Sequence, residues 1–223
     1  MIIAIDGPAG SGKSSVAKSV AARLGFKYLD TGAMYRAVAF RALQTGIDPS
    51  DGDAVAGIVA SAPIEFTHVE GDPFPVGVSI AGIDVTREIR TPAVDDAVSA
   101  VARLGAVREA MVAQQRTHAA AENIVVEGRD IGTVVFPDAE LKIFLTASAE
   151  ERARRRSAQQ AENGIASDTA GVHEAILRRD TADSTRDISP LTPADDAVVL
   201  DTTDLTFDQV VDAVCGIALE RGA

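Results

Sequence analysis

What the sequence is short of narrows its chemistry before any motif is read. The 223 residues hold one cysteine, Cys215, so no internal disulfide can form and a reducing compartment is expected. Cys215 reads as a small core residue on the last helix. The three histidines, His68, His118 and His173, lie far apart without metal-ligand spacing, and read as ordinary surface or core residues. No apolar run approaches the roughly 20 residues that a membrane span needs. Residues 2–6 already read as a buried strand, which leaves no room for a signal peptide, and a cytoplasmic location is expected. No internal repeat or long low-complexity segment is present. Lysine is scarce, four against 17 arginines. Arginine clamps phosphate with a bidentate fork, so the bias suits phosphate chemistry, although skewed composition alone would also produce it. The net charge of −12 repels nucleic acid and anionic membrane, so neither is expected as a partner. An anionic substrate would need a local basic pocket working against that field.

With 46% hydrophobic and 24% charged residues, the chain can build one α/β core with room for an insertion. Short apolar runs alternate with helical stretches, the pattern of a parallel sheet made of strand–helix–strand units. Strands are expected over residues 2–6, 27–30, 124–127, 141–145 and 197–201. Each is brief, apolar and followed by turn or cap residues, as befits strands covered on both faces. Helices are expected over 12–24, 31–44, 51–61, 93–122 (broken near Leu104-Gly105), 149–162, 172–184 and 207–219. Between Pro63 and Thr86 the rhythm changes. Strands over 64–69, 76–80 and 83–85, joined by Gly/Pro-rich turns, predict a small antiparallel sheet inserted into the parallel core. Residues 161–171, small and polar between two arginine-bearing helices, read as a mobile loop.

The strongest signal is Gly7-Pro8-Ala9-Gly10-Ser11-Gly12-Lys13-Ser14, a match to G-x-x-x-x-G-K-[ST] that follows one predicted strand and opens a helix. Glycines let backbone N–H groups converge on phosphate oxygens without a Cβ in the way, and the helix N-terminus adds a positive field. Lys13 would reach the β- and γ-phosphates, and the Ser14 hydroxyl would complete Mg²⁺ coordination. The rival reading, a glycine turn that merely links strand to helix, explains neither the lysine nor the hydroxyl. A phosphate cradle establishes nucleotide binding but leaves the acceptor open, because GTPases, ATP-driven machines and small kinases all carry one.

In open parallel sheets, ligands bind beyond the carboxyl ends of the strands. The second predicted strand ends in Asp30-Thr31-Gly32-Ala33-Met34-Tyr35-Arg36, and the third in Glu127-Gly128-Arg129-Asp130. Each places an arginine a few residues beyond a strand and next to glycine, which would make a second phosphate site. Arg179, Asp183 and Arg186 share a face of any helix running that far, and Arg152, Arg155 and Arg156 share a face of the preceding one. On spacing alone these six fit a ligand site or a solvated, salt-bridged surface equally well, whereas Arg154 reads as surface.

Taken together, these residues resemble bacterial cytidylate kinases, within the nucleoside monophosphate kinases. The resemblance runs over nearly the whole chain, including Glu88-Ile89-Arg90-Thr91, Val107-Arg108-Glu109, Glu150-Glu151-Arg152 and Ser189-Pro190-Leu191. Gly128-Arg129-Asp130-Ile131-Gly132-Thr133-Val134-Val135-Phe136-Pro137-Asp138-Ala139 is its most specific stretch. It implies an α/β P-loop NTPase-type fold: a parallel five-stranded sheet flanked by helices, a small antiparallel sheet in the monophosphate-binding region, and a helical lid. The expected division is a core of residues 1–30, 123–148 and 187–223, a monophosphate-binding region over 31–122 with the inserted sheet near 63–90, and a lid over 149–186.

The resemblance also implies roles. Gly7, Pro8, Ala9, Gly10, Ser11, Gly12, Lys13, Ser14 and Ser15 would bind ATP, with Arg155 and Arg156 in the lid above it. Thr31, Tyr35, Arg36, Ser99, Arg108, Arg129, Asp130, Arg179, Asp183 and Arg186 would bind CMP. Among these, Arg36 and Arg129 would hold the phosphate, Ser99, Arg108 and Asp130 would read the base, and Arg179 and Asp183 would hold the ribose. Lys13, Arg129 and Arg186 would be catalytic, Arg186 by bridging donor and acceptor phosphates. Mg²⁺ would be the cofactor, held by Ser14 and by Glu127 through water; Glu127 stands where relatives often have Asp. The expected enzyme is a monomer moving the γ-phosphoryl group of MgATP to CMP or dCMP. Asp130 would accept from the cytosine amino group, while Arg108 and Ser99 donate to its acceptors; uracil presents an acceptor where cytosine has that donor. Other acceptors (UMP, dTMP, AMP) and a P-loop switch or ATPase are the alternatives; the last would need an Asn-Lys-x-Asp guanine motif, which is absent, or a Walker B carboxylate with sensor residues, which only Glu127 approximates.

Overall fold

The computed structural model describes residues 1–70, 72, 74–120, 123–162 and 168–223. Five strands make a parallel sheet: β1 (Ile2–Asp6), β2 (Lys27–Asp30), β6 (Ile124–Glu127), β7 (Leu141–Thr146) and β8 (Val198–Asp201), in the spatial order β2-β6-β1-β7-β8. A separate antiparallel sheet is built from β3 (Ile64–His68), β4 (Pro75–Ile80) and β5 (Ile83–Asp84), in that order. Both sheets were expected from the sequence, with bounds that differ by a residue or two at strand ends, where ladder hydrogen bonds stop.

The chain divides into two compact units. The first comprises Met1–Phe26 and Ile124–Ala223 and holds α1 (Lys13–Leu24), α6 (Ala149–Glu162), α7 (Thr169–Ser184) and α8 (Phe207–Glu220). Central β1 pairs with β6 on one side, Ile5 opposite Glu127, and with β7 on the other, Ile5 opposite Ile143. Ile3, Ile5, Leu141, Ile143 and Leu145 are wholly buried. Each contributes about 1.5–3 kcal/mol through burial, so the strand tips beyond them stand on a stiff base. Helix α1 ends at Gly25, whose left-handed φ of 68° lets its N–H meet the Ala21 and Ala22 carbonyls. At its start α8 carries a capping box between Thr206 and Gln209.

The second unit, Lys27–Asn123, holds α2 (Thr31–Gln44), α3 (Gly52–Ser61), α4 (Pro92–Val101) and α5 (Gly105–His118). Asp30 caps α2 by accepting from the Ala33 N–H at 2.8 Å, and Asp51 caps α3 in the same way. The expected break near Leu104-Gly105 is present: α4 stops at Val101, and Leu104 caps α5 in extended conformation. Beyond α5, residues 121–122 of the expected long helix lie outside the described residues, as do 71 and 73 of the 70–75 turn. The same holds for 163–167 within the loop expected over 161–171. Two elements escaped the sequence reading, a 3₁₀ turn at Glu88–Arg90 and a π-helical turn at Ile131–Val135. Among the described residues, no helix is long and apolar enough to cross a membrane.

Candidate active site

At the carboxyl end of β1 the chain turns through three glycines in the left-handed half of φ space: Gly7 at 148°, Gly10 at 76° and Gly12 at 88°. A Cβ at Gly7 would collide with the Leu145 carbonyl oxygen, and one at Gly10 would begin 3.1 Å from the Arg152 Cβ. The loop is thus clamped against β7 and α6, and only glycine fits there. Ser11 Oγ is buried without a hydrogen-bond partner, a polar group that suits a phosphate oxygen. Lys13 is buried, and its Nζ donates to the Pro8 carbonyl of the same loop at 2.7 Å. Burial, then the like charge of Arg129, pulls the Lys13 ammonium well below its ordinary range; Glu127 opposes this, Arg179 adds to it and Asp6 opposes it. Cations gathered around a glycine cradle favour an anion among them.

Ser14 Oγ donates to Glu127 Oε2 at 2.8 Å. This hydroxyl and carboxylate are hard oxygen donors, which suits Mg²⁺. Among the described residues no group of three or more His, Cys, Asp or Glu forms a metal cage. Mg²⁺ keeps much of its water and takes few protein ligands, so one hydroxyl and one carboxylate are enough where phosphate oxygens share the shell.

Beyond β6, Asp183 forms the hub of an arginine cluster. It is 1% exposed and meets Arg129 Nε at 3.2 Å, Arg179 Nε at 3.9 Å and Arg186 as an ion pair. Arg186 follows the end of α7 rather than riding on it, yet still turns back to Asp183. Asp130 is buried at the start of the π-helical turn. On α6, Arg155 donates to Glu151, to the Thr202 hydroxyl at 2.9 Å and to the Thr202 carbonyl at 2.6 Å. Its Nη1 lies 3.9 Å from where a Gly12 side chain would begin, so this guanidinium does reach the loop. Hydrogen bonds from Arg154, then Arg155, hold the Glu151 carboxyl down at about 2. Arg156 instead bonds to Gln159 at 2.9 Å along its own helix.

In the second unit, Thr31 and Tyr35 are buried on the first turns of α2. The Arg108 guanidinium lies 5.7 Å from the centre of the Tyr35 ring and donates to the Ala102 carbonyl at 3.1 Å. Stacking and that bond hold a buried cation rigidly. Arg36 donates to the Ile89 carbonyl at 2.9 Å and forms an ion pair with Asp95. Ser99 is half-buried on α4.

The family model for cytidylate kinase matches residues 3–219. The chain belongs to the cytidylate kinase family. A cytidylate kinase of Rhodococcus opacus (strain B4) is 51% identical over 222 residues, covering 99% of this chain and 96% of the relative. One from Nocardia farcinica (strain IFM 10152) is 49% identical over 222 residues, covering 99% and 94%. Among solved structures, shikimate kinase from Bacteroides thetaiotaomicron matches with a TM-score of 0.51 at 12% identity over 98% of each chain. That likeness concerns the fold alone. The expectation of a phosphotransferase of this family on a P-loop kinase fold is borne out.

Within this cytidylate kinase fold, Asp6 and Asp95 gain significance that the sequence reading did not give them, and Arg152, which spacing left between ligand site and surface, proves to be tied into buried contacts. Asp6 is buried at the tip of β1 and accepts from the Ile131 N–H at 2.9 Å and the Gly132 N–H at 2.8 Å. Burial pushes its carboxyl up to about 6 against those two bonds, with Asp130 adding to the rise and Lys13 opposing it. Arg152 donates to the Ala9 carbonyl at 3.1 Å and pairs with Asp180 at 2.6 Å. Asp95 occupies the Arg36 fork. A charged residue in an otherwise apolar strand was the only hint available for Asp6. Glycine at position 10 hinted at a close neighbour but not at which one.

Proposed function

We propose that the chain transfers the γ-phosphoryl group of MgATP to a phosphate oxygen of CMP or dCMP, giving ADP and CDP or dCDP. Membership of the cytidylate kinase family over residues 3–219 carries this reading. The glycine cradle with its buried lysine supplies chemistry of the right kind. The acceptor oxygen is already anionic at neutral pH, so the reaction needs no general base. Catalysis then rests on alignment of the two phosphates and on cations placed where negative charge spreads.

In this proposal residues 7–15 hold the ATP phosphates and Lys13 follows the transferred group. Arg129 and Arg186 stabilise the developing charge, and Arg155 and Arg156 cover ATP. Thr31, Tyr35, Arg36, Ser99, Arg108, Arg129, Asp130, Arg179, Asp183 and Arg186 bind the acceptor nucleotide. Ser14 would hold Mg²⁺, with Glu127 acting through water, and the bound ion would neutralise the β- and γ-phosphate oxygens. Asp130 accepts the cytosine amino hydrogen, and against uracil it would face another acceptor. The functional division is a core of residues 1–30, 123–148 and 187–223, a monophosphate-binding region over 31–122 and a lid over 149–186. The enzyme is read as a cytoplasmic monomer with small-molecule partners only; its net charge of −12 argues against nucleic acid.

A coupled ADP-release assay with CMP, dCMP, UMP, AMP and dTMP tests this. CMP or dCMP should exceed the others by ~10-fold or more in kcat/KM. A leading rate with UMP, AMP or dTMP would reassign the acceptor. ATP hydrolysis of equal speed without any acceptor would replace the kinase by an ATPase.

A further inference from the structure

Arg36 is already engaged. Its Nη1 donates to the Ile89 carbonyl of the Glu88–Arg90 turn at 2.9 Å, and its Nη2 pairs with Asp95 Oδ1. Asp95 sits in the first turn of α4, where the helix N-terminus favours a carboxylate. The two side chains are 21% and 31% exposed, so the pair is only partly screened by water. From these contacts we infer that Asp95 competes with the acceptor phosphate for the Arg36 guanidinium and thereby sets acceptor affinity. This rests on the proposal that Arg36 binds the phosphate of CMP.

The physical case is a contest between two anions for one fork. A guanidinium presents five N–H donors, and two are committed to Ile89 and Asp95. A nucleotide phosphate that approaches Arg36 either displaces the Asp95 carboxylate or binds beside it. Displacement gives up a half-buried ion pair, and binding beside it places a dianion within a few ångströms of a carboxylate. Both routes weaken the acceptor relative to a chain whose residue 95 is neutral. The displacement route also disfavours weaker anions, because a dianion with two oxygens on the fork displaces a carboxylate more readily than a monoanion does. Asp95 is therefore a specificity-determining residue that favours a full phosphate dianion over lesser anions.

The test uses the full chain with Asp95→Asn and Asp95→Ser, each alone and combined with Arg36→Ala, and measures CMP and ATP dissociation constants by calorimetry. Both position-95 variants should bind CMP ~3–10-fold more tightly, with ATP affinity unmoved. Orthophosphate, used as a competing probe, should become a stronger inhibitor against CMP in those variants. In the Arg36→Ala background the position-95 substitutions should have no effect, since the contested group is gone. If Arg36→Ala weakens CMP but both position-95 variants stay within 1.5-fold of the parent, the competition is overturned and the acceptor role of Arg36 stands. Weaker CMP binding in both variants also overturns it and makes Asp95 a residue that orients Arg36. If Arg36→Ala leaves CMP binding unchanged, the acceptor role itself fails, and the inference falls with it.

Discussion

Replacing Asp6 by Asn should cost little stability at pH 8, yet abolish a gain that the parent shows in acid. Burial holds the Asp6 carboxyl at about 6, above its ordinary 3.8. The folded chain therefore binds this proton more tightly than the unfolded one. Its stabilising effect is complete below about 3.8 and is lost as pH rises through about 6. A difference of about 2 pH units corresponds to about 3 kcal/mol in total, of which about 1.4 kcal/mol should appear between pH 8 and pH 5. Asn abolishes the desolvated charge, which offsets about 3 kcal/mol at pH 8. It can accept from only one of the Ile131 and Gly132 N–H groups, and turns an amide donor toward the other. A buried donor left unmatched costs about 1–3 kcal/mol. The two terms nearly cancel, so the variant should lie within about 2 kcal/mol of the parent at pH 8. Urea unfolding of both proteins from pH 5 to 8 supplies the test. The stability difference between them should drift by about 1.4 kcal/mol in favour of the parent as pH falls from 8 to 5. Parallel curves would show that Asp6 does not titrate in this range and would refute the reasoning.

Lys13→Ala should lower kcat by ~10²–10⁴ with the fold intact, because one preorganised cation is lost from the transferring phosphoryl group. Steady-state rates within threefold of the parent would remove Lys13 from the chemistry. Asp130→Ala should cut the CMP-to-UMP ratio of kcat/KM by ~10-fold or more, as the carboxylate proposed to reject uracil disappears. An unchanged ratio in the acceptor panel would deny Asp130 its part in reading the base.

Local signals made most of the architecture legible. The parallel strands are short apolar runs with turns behind them, and the inserted sheet follows from turns such as Ala81-Gly82, where Ala81 takes a positive φ of 52°. The glycine loop with its lysine could be read because these residues are contiguous in sequence. Residues whose meaning depends on distant partners could not be read this way. Asp6 meets Ile131 across 125 residues, Arg36 meets Asp95 across 59, and Arg152 meets Ala9 across 143. No periodicity or motif encodes such pairings, which arise only once β1, β6 and β7 are in register or α2 packs on α4. The π-helical turn at Ile131–Val135 was missed for the same reason, since two of its backbone donors are satisfied by the Asp6 side chain and not by neighbours in sequence.

Arg152 gives the first unit a mechanical property. One guanidinium ties the Ala9 carbonyl, the Ala147 carbonyl and the Asp180 carboxylate together while remaining only 5% exposed. Severing one partner of such a buried charge is expensive, about 3–5 kcal/mol, so this knot behaves as a fixed axle. Through this knot a displacement of α7 at Asp180 would be felt at the Ala9 carbonyl, in the loop proposed to hold the ATP phosphates. The glycine loop and the helix carrying Arg179 and Asp183 are in this sense two ends of one lever.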